Sequence, residues 1–322
     1  MNILITGASG FIGYALAKKL SSSRNKIYIT DNFYRGKYDK HLKELILKKN
    51  VYFFKADLTK KNDFKKFPKK IDIIFHLAAI NGTKNFYNIP DKVLTVNTLI
   101  NINLLEYLKN NPKIKTIFAS SSEVYASTTD LLKNKIPSKE NIEISIKDIS
   151  NIRYSYAISK IFGENAFYSY SKNYNIKFNI IRFHNIYGPR MGIDHVIPEL
   201  FFRIQDCINK KINKVSLFGS SNTRSFCYID DAVNALLIVS KKFTNEIIHI
   251  GNDKEEIQIF NLCKKILGYM NKDLVIEKKS APSGSVARRL PDLKKLYSYG
   301  YKPKVNLDQG IKKTLDWYIK NS

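Results

Sequence analysis

Apolar and polar positions form alternating blocks along the first half of the chain, where short β-branched runs are separated by longer amphipathic stretches. The short runs predict strands, and the stretches with apolar residues at helical spacing predict helices. Because the strands are apolar at consecutive positions, helices should cover both faces of their sheet. The pattern therefore predicts a doubly wound α/β domain with a parallel sheet. The predicted strands are 2–6, 26–31, 51–55, 71–78, 115–120 and 177–183, and the predicted helices are 11–20, 38–48, 91–109 and 154–172.

The polar segment 122–152 interrupts this alternation and is too long for a plain connection in a compact domain, so we predict a functional loop there. Beyond residue 188 the predicted elements are shorter. They are the helices 198–208, 229–241, 256–269 and 307–320 and the strands 215–218 and 247–250. We expect residues 1–180, with 224–250 returning to them, to form the main domain. Residues 181–223 and 251–322 should form a smaller C-terminal α/β lobe.

Bulk composition excludes several classes of protein. With 44% hydrophobic and 25% charged residues the chain is neither disordered nor fibrous. No apolar run approaches the ~20 residues of a membrane span, and no signal peptide pattern opens the sequence, so we expect a cytoplasmic protein without a membrane partner. The three cysteines lack a CxxC pair and the five histidines lack ligand spacing, so we expect neither disulfides nor a metal.

The net charge of +26 is unusual and permits two interpretations. A strongly basic protein can bind nucleic acid, which makes a non-catalytic or RNA-binding protein the alternative of another class. However, the basic residues are spread along the whole chain, and nearly all are lysines rather than the arginines that phosphate recognition favours. We interpret the charge as a solvated surface that suits an anionic ligand, and expect no nucleic-acid partner.

A glycine-rich turn lies between the first predicted strand and the first predicted helix. Gly7 permits the tight turn, Gly10 lets the backbone approach a pyrophosphate, and Gly13 lets helix and strand pack closely. Asp31 ends the second predicted strand, where a carboxylate accepts hydrogen bonds from ribose hydroxyls and repels a 2′-phosphate. This Rossmann-type arrangement predicts NAD rather than NADP, although Arg35 is near enough to weaken that preference.

Tyr156 and Lys160 are four residues apart and so share one face of a predicted helix. A phenol with an ordinary pKa of about 10 needs adjacent positive charge to act as a base near neutral pH, and we expect Lys160 to supply it together with a nicotinamide cation. Ser121 follows the preceding strand at the edge where doubly wound folds bind ligands. Besides the glycines and Asp31, the expected cofactor contacts are Phe11, Ile12, Asn32, Asp57, Leu58, Leu77, Ala78, Ala79, Asn97, Tyr156 and Lys160.

Six motifs occur in a fixed order: TGASGFIG, Asp31-Asn32, HLAA, SSSEVY, YAISK and RFHNIYGP. Together they resemble the extended short-chain dehydrogenase/reductase family, more narrowly its nucleotide-sugar epimerases, dehydratases and decarboxylases. The resemblance continues to RSFCYIDD and RLPDL. It implies a catalytic triad of Tyr156, Lys160 and Ser121, which would oxidise C4 of the sugar of a nucleotide-diphosphate sugar with NAD.

The residue type at position 123 helps to distinguish the reactions that can follow the oxidation of C4. In the family, dehydratases carry an Asp-Glu pair at this place, whereas Ser122-Glu123 resembles the Ser-Glu of UDP-glucuronate decarboxylases. Glu123 would then be a second catalytic acid or base for dehydration or decarboxylation. The alternative is a 4-epimerase that does not use Glu123. Residues 182–187 are equally similar to GDP-mannose 3,5-epimerases, but the catalytic cysteine of those enzymes has no counterpart here. Glu123 could also be a purely structural carboxylate that caps a helix or forms an ion pair.

The resemblance also implies substrate and subunit contacts. Arg224 and Arg289 would bind the diphosphate, Asn185 the phosphate–sugar region and Val196 the base, with Ser122 beside the sugar. Arg182 is interpreted as half of an interior ion pair. A homodimer is expected through the helices 91–109 and 154–172, whose apolar positions include Leu99, Leu105, Ile161 and Phe162.

Overall fold

The computed structural model describes residues 1–128, 136–281 and 285–321. Its first half contains β1 (Asn2–Thr6), α1 (Phe11–Leu20), β2 (Lys26–Asp31), α2 (Lys40–Ile46), β3 (Val51–Lys55), β4 (Ile73–His76), α3 (Thr83–Asn88), α4 (Pro90–Lys109), β5 (Lys115–Ser121), α5 (Ser155–Tyr174) and β6 (Phe178–Phe183). Its second half contains β7 (Ile186–Tyr187), α6 (Val196–Asn209), β8 (Lys214–Phe218), β9 (Thr223–Ser225), β10 (Cys227–Tyr228), α7 (Ile229–Val239), β11 (Ile247–Ile250), β12 (Glu256–Gln258), α8 (Ile259–Tyr269), β13 (Val275–Lys279), β14 (Arg288–Arg289), α9 (Lys294–Ser298) and α10 (Leu307–Asn321).

Seven parallel strands form the central sheet in the order β11-β6-β5-β4-β1-β2-β3. The order reverses between β1 and β4, which is the place where ligands bind in doubly wound sheets. Buried apolar side chains fill both sides of the sheet. The predicted Rossmann-type α/β class is therefore confirmed. β11 lies at the edge of this sheet although 63 residues separate it from β6 in the chain, between Phe183 and Ile247.

The second half adds three small sheets around the carboxyl edge of the large one. They have the orders β10-β7, β12-β9-β14 and β13-β8. The predicted helix 256–269 is wrong at its start, because Glu256–Gln258 pairs antiparallel with Thr223–Ser225 and the helix begins at Ile259. The predicted strand 71–78 is also too long, because only Ile73–His76 pairs with neighbours.

The polar segment after β5 is only partly described. Ser122–Tyr125 forms a 3₁₀ turn directly after the strand, and Ile152–Tyr154 forms another before α5. Residues 129–135 of the predicted functional loop lie outside the described residues. The described ranges contain no helix with both the length and the apolar content needed to cross a membrane.

Helices α4 and α5 pack closely against each other and against β5. Gly163 makes this possible, since a Cβ there would lie 2.5 Å from Cζ of Phe118 and 2.7 Å from Nδ2 of Asn101. Leu105, expected at a dimer interface, is instead fully buried inside this core, so that assignment is wrong. Leu99 and Phe162 are 41% and 38% exposed and so lie on the outer face of the pair.

Gly163→Ala should lower the free energy of unfolding by about 1–3 kcal/mol, because the added methyl group overpacks a core that has no space for it. Gly268→Ala is the matched control, since it lies in α8 with no atom within 4 Å of the added Cβ. It should raise stability by up to about 1 kcal/mol through helix propensity. Urea denaturation measures both, and equal effects of the two substitutions would contradict the packing described.

Candidate functional site

The glycine turn after β1 lies directly against the end of β4. Gly7 has φ of +68°, and a Cβ there would lie 2.7 Å from Cα of Ala78. A Cβ at Gly13 would lie 2.3 Å from the Gly7 carbonyl oxygen. The chain therefore needs glycine at both positions to bring the first turn of α1 to the sheet edge. Free N–H groups at a helix start of this kind form a site for a pyrophosphate.

Asp31 is tied to this turn by backbone hydrogen bonds. Its Oδ2 accepts from the Ser9 N–H at 3.0 Å, and its Oδ1 accepts from the Phe33 N–H at 2.8 Å. Each carboxylate oxygen has further acceptor capacity, so both remain able to bind ribose hydroxyls. The position suits the adenosine ribose of NAD, as the sequence predicts.

One large cavity, of about 1290 Å³, runs along the carboxyl edge of the sheet between the two halves of the chain. The predicted residues that line it on the cofactor side are Gly7, Gly10, Phe11, Ile12, Gly13, Asp31, Asn32, Asp57, Leu58, Leu77, Ala78 and Ala79. Ser121, Ser122, Glu123, Tyr156, Lys160, Asn185, Val196, Arg224 and Arg289 line the remainder. Asn97 is absent from the lining, because it is buried and its side chain bonds the N–H and carbonyl of Ile80 at 2.7 and 3.0 Å. It supports the loop after β4 instead.

The predicted triad is assembled in this cavity. Ser121 and Tyr156 both line it, and the Ser121 hydroxyl is close enough to lower the pKa of the phenol. Nζ of Lys160 lies 5.5 Å from the Tyr156 ring centroid and donates to the Ala119 carbonyl at 2.8 Å. Tyr156 is only 4% exposed and stacks on Phe86 with ring centroids 4.9 Å apart. Burial and stacking therefore fix the direction of the phenol.

The electrostatics of the triad differ from the expectation in one respect. Burial raises the pKa of Tyr156, and Glu123 raises it further, while the Ser121 hydrogen bond and the charge of Arg35 oppose that rise. Burial also lowers the pKa of Lys160 to about 7, partly opposed by Glu164. Lys160 can thus exchange a proton near neutral pH, and Arg35 is a further cation that favours the phenolate.

Glu123 lies between two arginines. Its Oε2 accepts from Arg153 Nη2 at 2.8 Å, and its Oε1 accepts from Arg289 Nη1 at 2.7 Å. Burial works to raise the pKa of Glu123, but the charges and hydrogen bonds of Arg289 and Arg153 lower it to about 2. Glu123 is therefore an ionised carboxylate at neutral pH, and the group of three carries a net positive charge.

Arg153 was not among the predicted site residues, although it precedes Tyr156 by three positions. Its guanidinium lies 5.3 Å from the Phe86 ring centroid, on the ring that also stacks on Tyr156. Its Nη1 is buried and has no hydrogen-bond partner in the described ranges. A buried donor without a partner is costly, so this place suits an acceptor from a bound molecule or from water.

The remaining predicted substrate residues are held by the backbone. Asn185 has φ of +41° and donates to the Ser225 carbonyl at 3.0 Å, and Arg224 Nη1 donates to the Thr223 carbonyl at 2.7 Å. Val196 is the first residue of α6. Arg182 forms an interior ion pair with Glu164, with Nε to Oε1 at 2.8 Å, in agreement with its interpretation as structural.

In the part of the chain that the structure describes, His, Cys, Asp and Glu side chains form no group of three or more that could bind a metal ion. The cofactor side of the cavity fits a dinucleotide, because the glycine turn, the first residues of α1 and Asp31 line it together. The fold and this cavity define a Rossmann-type, dinucleotide-binding enzyme with a Tyr–Lys pair.

Residues 3–251 match the model of the NAD dependent epimerase/dehydratase family, so the chain belongs to this family and uses NAD. The chain is 32% identical to a UDP-N-acetyl-alpha-D-glucosaminuronate decarboxylase of Bacillus cytotoxicus, over 98% of this chain and 97% of the relative. It is 30% identical to a putative UDP-glucose 4-epimerase of Methanocaldococcus jannaschii, over 99% of both. The structure of a UDP-glucuronic acid 4-epimerase mutant from Bacillus cereus, with a fluorinated UDP-glucuronic acid and NAD, superposes over all of both chains with a TM-score of 0.83 and 26% identity. The family resemblance and the NAD prediction are confirmed.

Lys160→Met should change how stability depends on pH. Folded Lys160 loses its proton near its lowered pKa of about 7, whereas in the unfolded chain it keeps the proton up to about pH 10.4. Between these values the unfolded state binds more protons, so the free energy of unfolding of the wild type rises with pH relative to the variant. Urea denaturation at about pH 7 and about pH 9 measures this.

Lys172→Met is the control for this experiment, because Lys172 is exposed on the same helix. The free energy of unfolding of Lys172→Met should differ from that of the wild type by the same amount at both pH values. An equally constant difference for Lys160→Met would mean that Lys160 titrates like an exposed lysine.

Proposed function

We propose that the protein removes the carboxyl group of a nucleotide-activated hexuronate after transient oxidation of the sugar at C4. The observation that carries this proposal is the position of Glu123 between Arg153 and Arg289, next to Ser121 and Tyr156 in one cavity. Residues 1–180 with 224–250 would bind NAD, and residues 181–223 with 251–322 the nucleotide sugar.

The first step uses the triad. Tyr156 accepts the proton of the C4 hydroxyl, and Ser121 holds that oxygen through a hydrogen bond. NAD, when bound, supplies the hydride acceptor for C4. Lys160, with a pKa lowered to about 7, is able to give a proton to the phenolate and take it back near neutral pH. The C4 hydroxyl thereby becomes a ketone.

The second step depends on the carboxylate attached to C5. With a ketone at C4 this carboxylate belongs to a β-keto acid, in which the C5–C6 bond breaks and its electron pair moves toward the ketone oxygen. CO2 leaves, and C5 then takes up a proton. Tyr156 would return the proton to the C4 oxygen as the hydride returns to C4 from NAD held at the glycine turn and Asp31, and the product would be a pentose.

The two arginines favour a carboxylate substrate. A sugar carboxylate bound near Glu123 needs positive charge, and Arg153 and Arg289 together exceed the single charge of Glu123. The buried Arg153 Nη1, which has no partner among the described residues, supplies a donor for it. Arginine is suited to such planar, bidentate recognition.

Dehydration fits the site less well. Removal of water across C5–C6 needs an acid to protonate the leaving hydroxyl, and Glu123 with a pKa of about 2 is ionised at neutral pH. Ser122 stands where dehydratases of the family carry an aspartate. A 4-epimerase is the second candidate. The Bacillus cereus structure is named a UDP-glucuronic acid 4-epimerase, and the Methanocaldococcus jannaschii relative a putative UDP-glucose 4-epimerase.

Mass spectrometry of products distinguishes these reactions. The holoenzyme is incubated with a panel of UDP-, GDP-, CDP- and dTDP-sugars that contains the hexuronates. We expect the product of a hexuronate to have lost CO2. Loss of water would indicate a dehydratase, and an unchanged mass with altered chromatography a 4-epimerase. Salt-dependent RNA binding with no product from any sugar would favour the RNA-binding alternative.

Glu123→Gln should lower the rate of CO2 loss by about 100-fold or more, because the amide keeps one acceptor oxygen and can no longer hold both Arg153 and Arg289 in place. NAD content should stay that of the wild type. Glu277→Gln is the control, since it removes a partly exposed carboxylate that pairs with Lys279. Unimpaired CO2 loss by Glu123→Gln would contradict the role of Glu123 in holding Arg153 and Arg289.

We also propose a homodimer through the outer faces of α4 and α5. Leu99 and Phe162 are large, apolar and partly exposed there, at 41% and 38%. Sedimentation equilibrium should give twice the mass of the chain, and Phe162→Glu should shift it toward the mass of one chain. A single-chain mass for the wild type would overturn this proposal.

A further inference from the structure

Arg190 and Arg35 each extend from one half of the chain toward the other half, in opposite directions. Arg190 belongs to the segment between β7 and α6 and reaches the cofactor half. Arg35 belongs to the segment after β2 and reaches toward the segment that contains Gly192, Asp194 and His195. We call these two residues the arginine clasp.

Arg190 makes the stronger set of contacts. Its Nε and Nη2 each lie 2.9 Å from Oδ2 of Asp39, and its Nη1 donates to the Ser9 carbonyl at 2.8 Å. Its guanidinium lies 4.4 Å from the ring centroid of Tyr14, a residue of α1. The side chain is only 9% exposed. Arg190 thus binds the glycine turn, the first helix and the N-cap of α2 at once.

The backbone of Arg190 has φ of +66°, in the left-handed region that a non-glycine residue rarely adopts. Such a conformation persists only where surrounding contacts impose it. The three contacts in the cofactor half are the ones that the side chain makes from this conformation.

Ser9 is the point at which Arg190 acts on the cofactor site. The N–H of Ser9 donates to Asp31 at 3.0 Å, so the residue already joins the glycine turn to the ribose-binding carboxylate. The Ser9 carbonyl belongs to the peptide group whose N–H, on Gly10, donates to Gly7 at 3.1 Å. A hydrogen bond from Arg190 to this carbonyl therefore fixes the plane of the Ser9–Gly10 peptide group.

Arg35 completes the clasp from the other side. Its Nη2 would lie 3.7 Å from a Cβ at Gly192 and 3.5 Å from one at Gly82. Its charge interacts with Asp194 and with Tyr156. Arg35 thus lies beside the segment that leads into α6, whereas Arg190 connects that segment to the cofactor half through hydrogen bonds.

We infer that Arg190 is a positioning residue that holds the glycine turn in its NAD-binding conformation from the opposite half of the chain. This role rests on the use of NAD and not on the proposed decarboxylation, so the two can fail separately. No contact between Arg190 and the sugar or NAD is required for it.

The rate of NAD release from the holoenzyme tests this role, measured by exchange against isotope-labelled NAD in the absence of any sugar. Arg190→Met should raise the release rate by at least about tenfold, because a charge-assisted hydrogen bond to the turn is lost. Arg190→Lys should recover part of the effect, since lysine reaches one of the two acceptors at a time. Amide hydrogen exchange of residues 8–13 should rise in Arg190→Met.

Arg203→Met is the matched control. Arg203 makes the same three kinds of contact, an ion pair with Glu199, a hydrogen bond to the Ser216 carbonyl at 2.7 Å and a ring contact with Phe218 at 5.3 Å, but none of them involves the glycine turn. It should leave the NAD release rate unchanged. If Arg190→Met does not fold, Asp39→Asn tests the same connection, with a smaller rise expected. The inference is overturned if a folded Arg190→Met releases NAD at a rate within twofold of the wild type. If Arg190→Met does not fold, the same result for Asp39→Asn overturns it. An equal rise of the release rate in Arg203→Met would overturn it as well.

Discussion

The contact between the glycine turn and the end of β4 is the constraint on which the site depends. Gly7 lies where any Cβ would meet Ala78, and Gly13 lies where any Cβ would meet the Gly7 carbonyl. Because the glycine turn packs so closely against β4, the start of α1 lies at the carboxyl edge of the sheet, near Asp31 and the end of β5. The triad is useful only because it faces the same space, since Ser121 ends β5 and Tyr156 opens α5.

The charged groups around this space are arranged by burial as much as by pairing. Lys160 is buried next to an aromatic ring and a carbonyl, and its pKa drops to about 7. Glu123 is buried too, yet its pKa falls to about 2 because two arginines surround it. The same low-dielectric environment thus makes one group ready to exchange a proton and keeps the other permanently charged. Proton transfer and anion binding are thus carried by different groups that line one cavity.

Much of the fold and part of the candidate site could be predicted from the sequence, because those features depend on neighbours in the chain. The glycine turn, Asp31 and the Tyr156–Lys160 pair are local patterns tied to one strand or one helix. The partners of Glu123 could not be predicted this way, since Arg289 is 166 positions away. Leu105 was misassigned because periodicity does not distinguish a residue buried in its own core from one buried by another subunit. The start of α8 was misassigned because pairing of Ile257 with Arg224 overrides its helical spacing.

The place of β11 in the central sheet has a consequence for how the chain is made. β6 acquires its outer neighbour only when Ile247–Ile250 is available, after more than three quarters of the 322 residues have been synthesised. Until then the edge of an apolar parallel sheet remains open on the ribosome, with unpaired backbone groups that can pair with other chains. A fragment that ends after β6 would keep this open edge permanently. The sheet of the dinucleotide-binding half is therefore complete only when residues up to 250 are present.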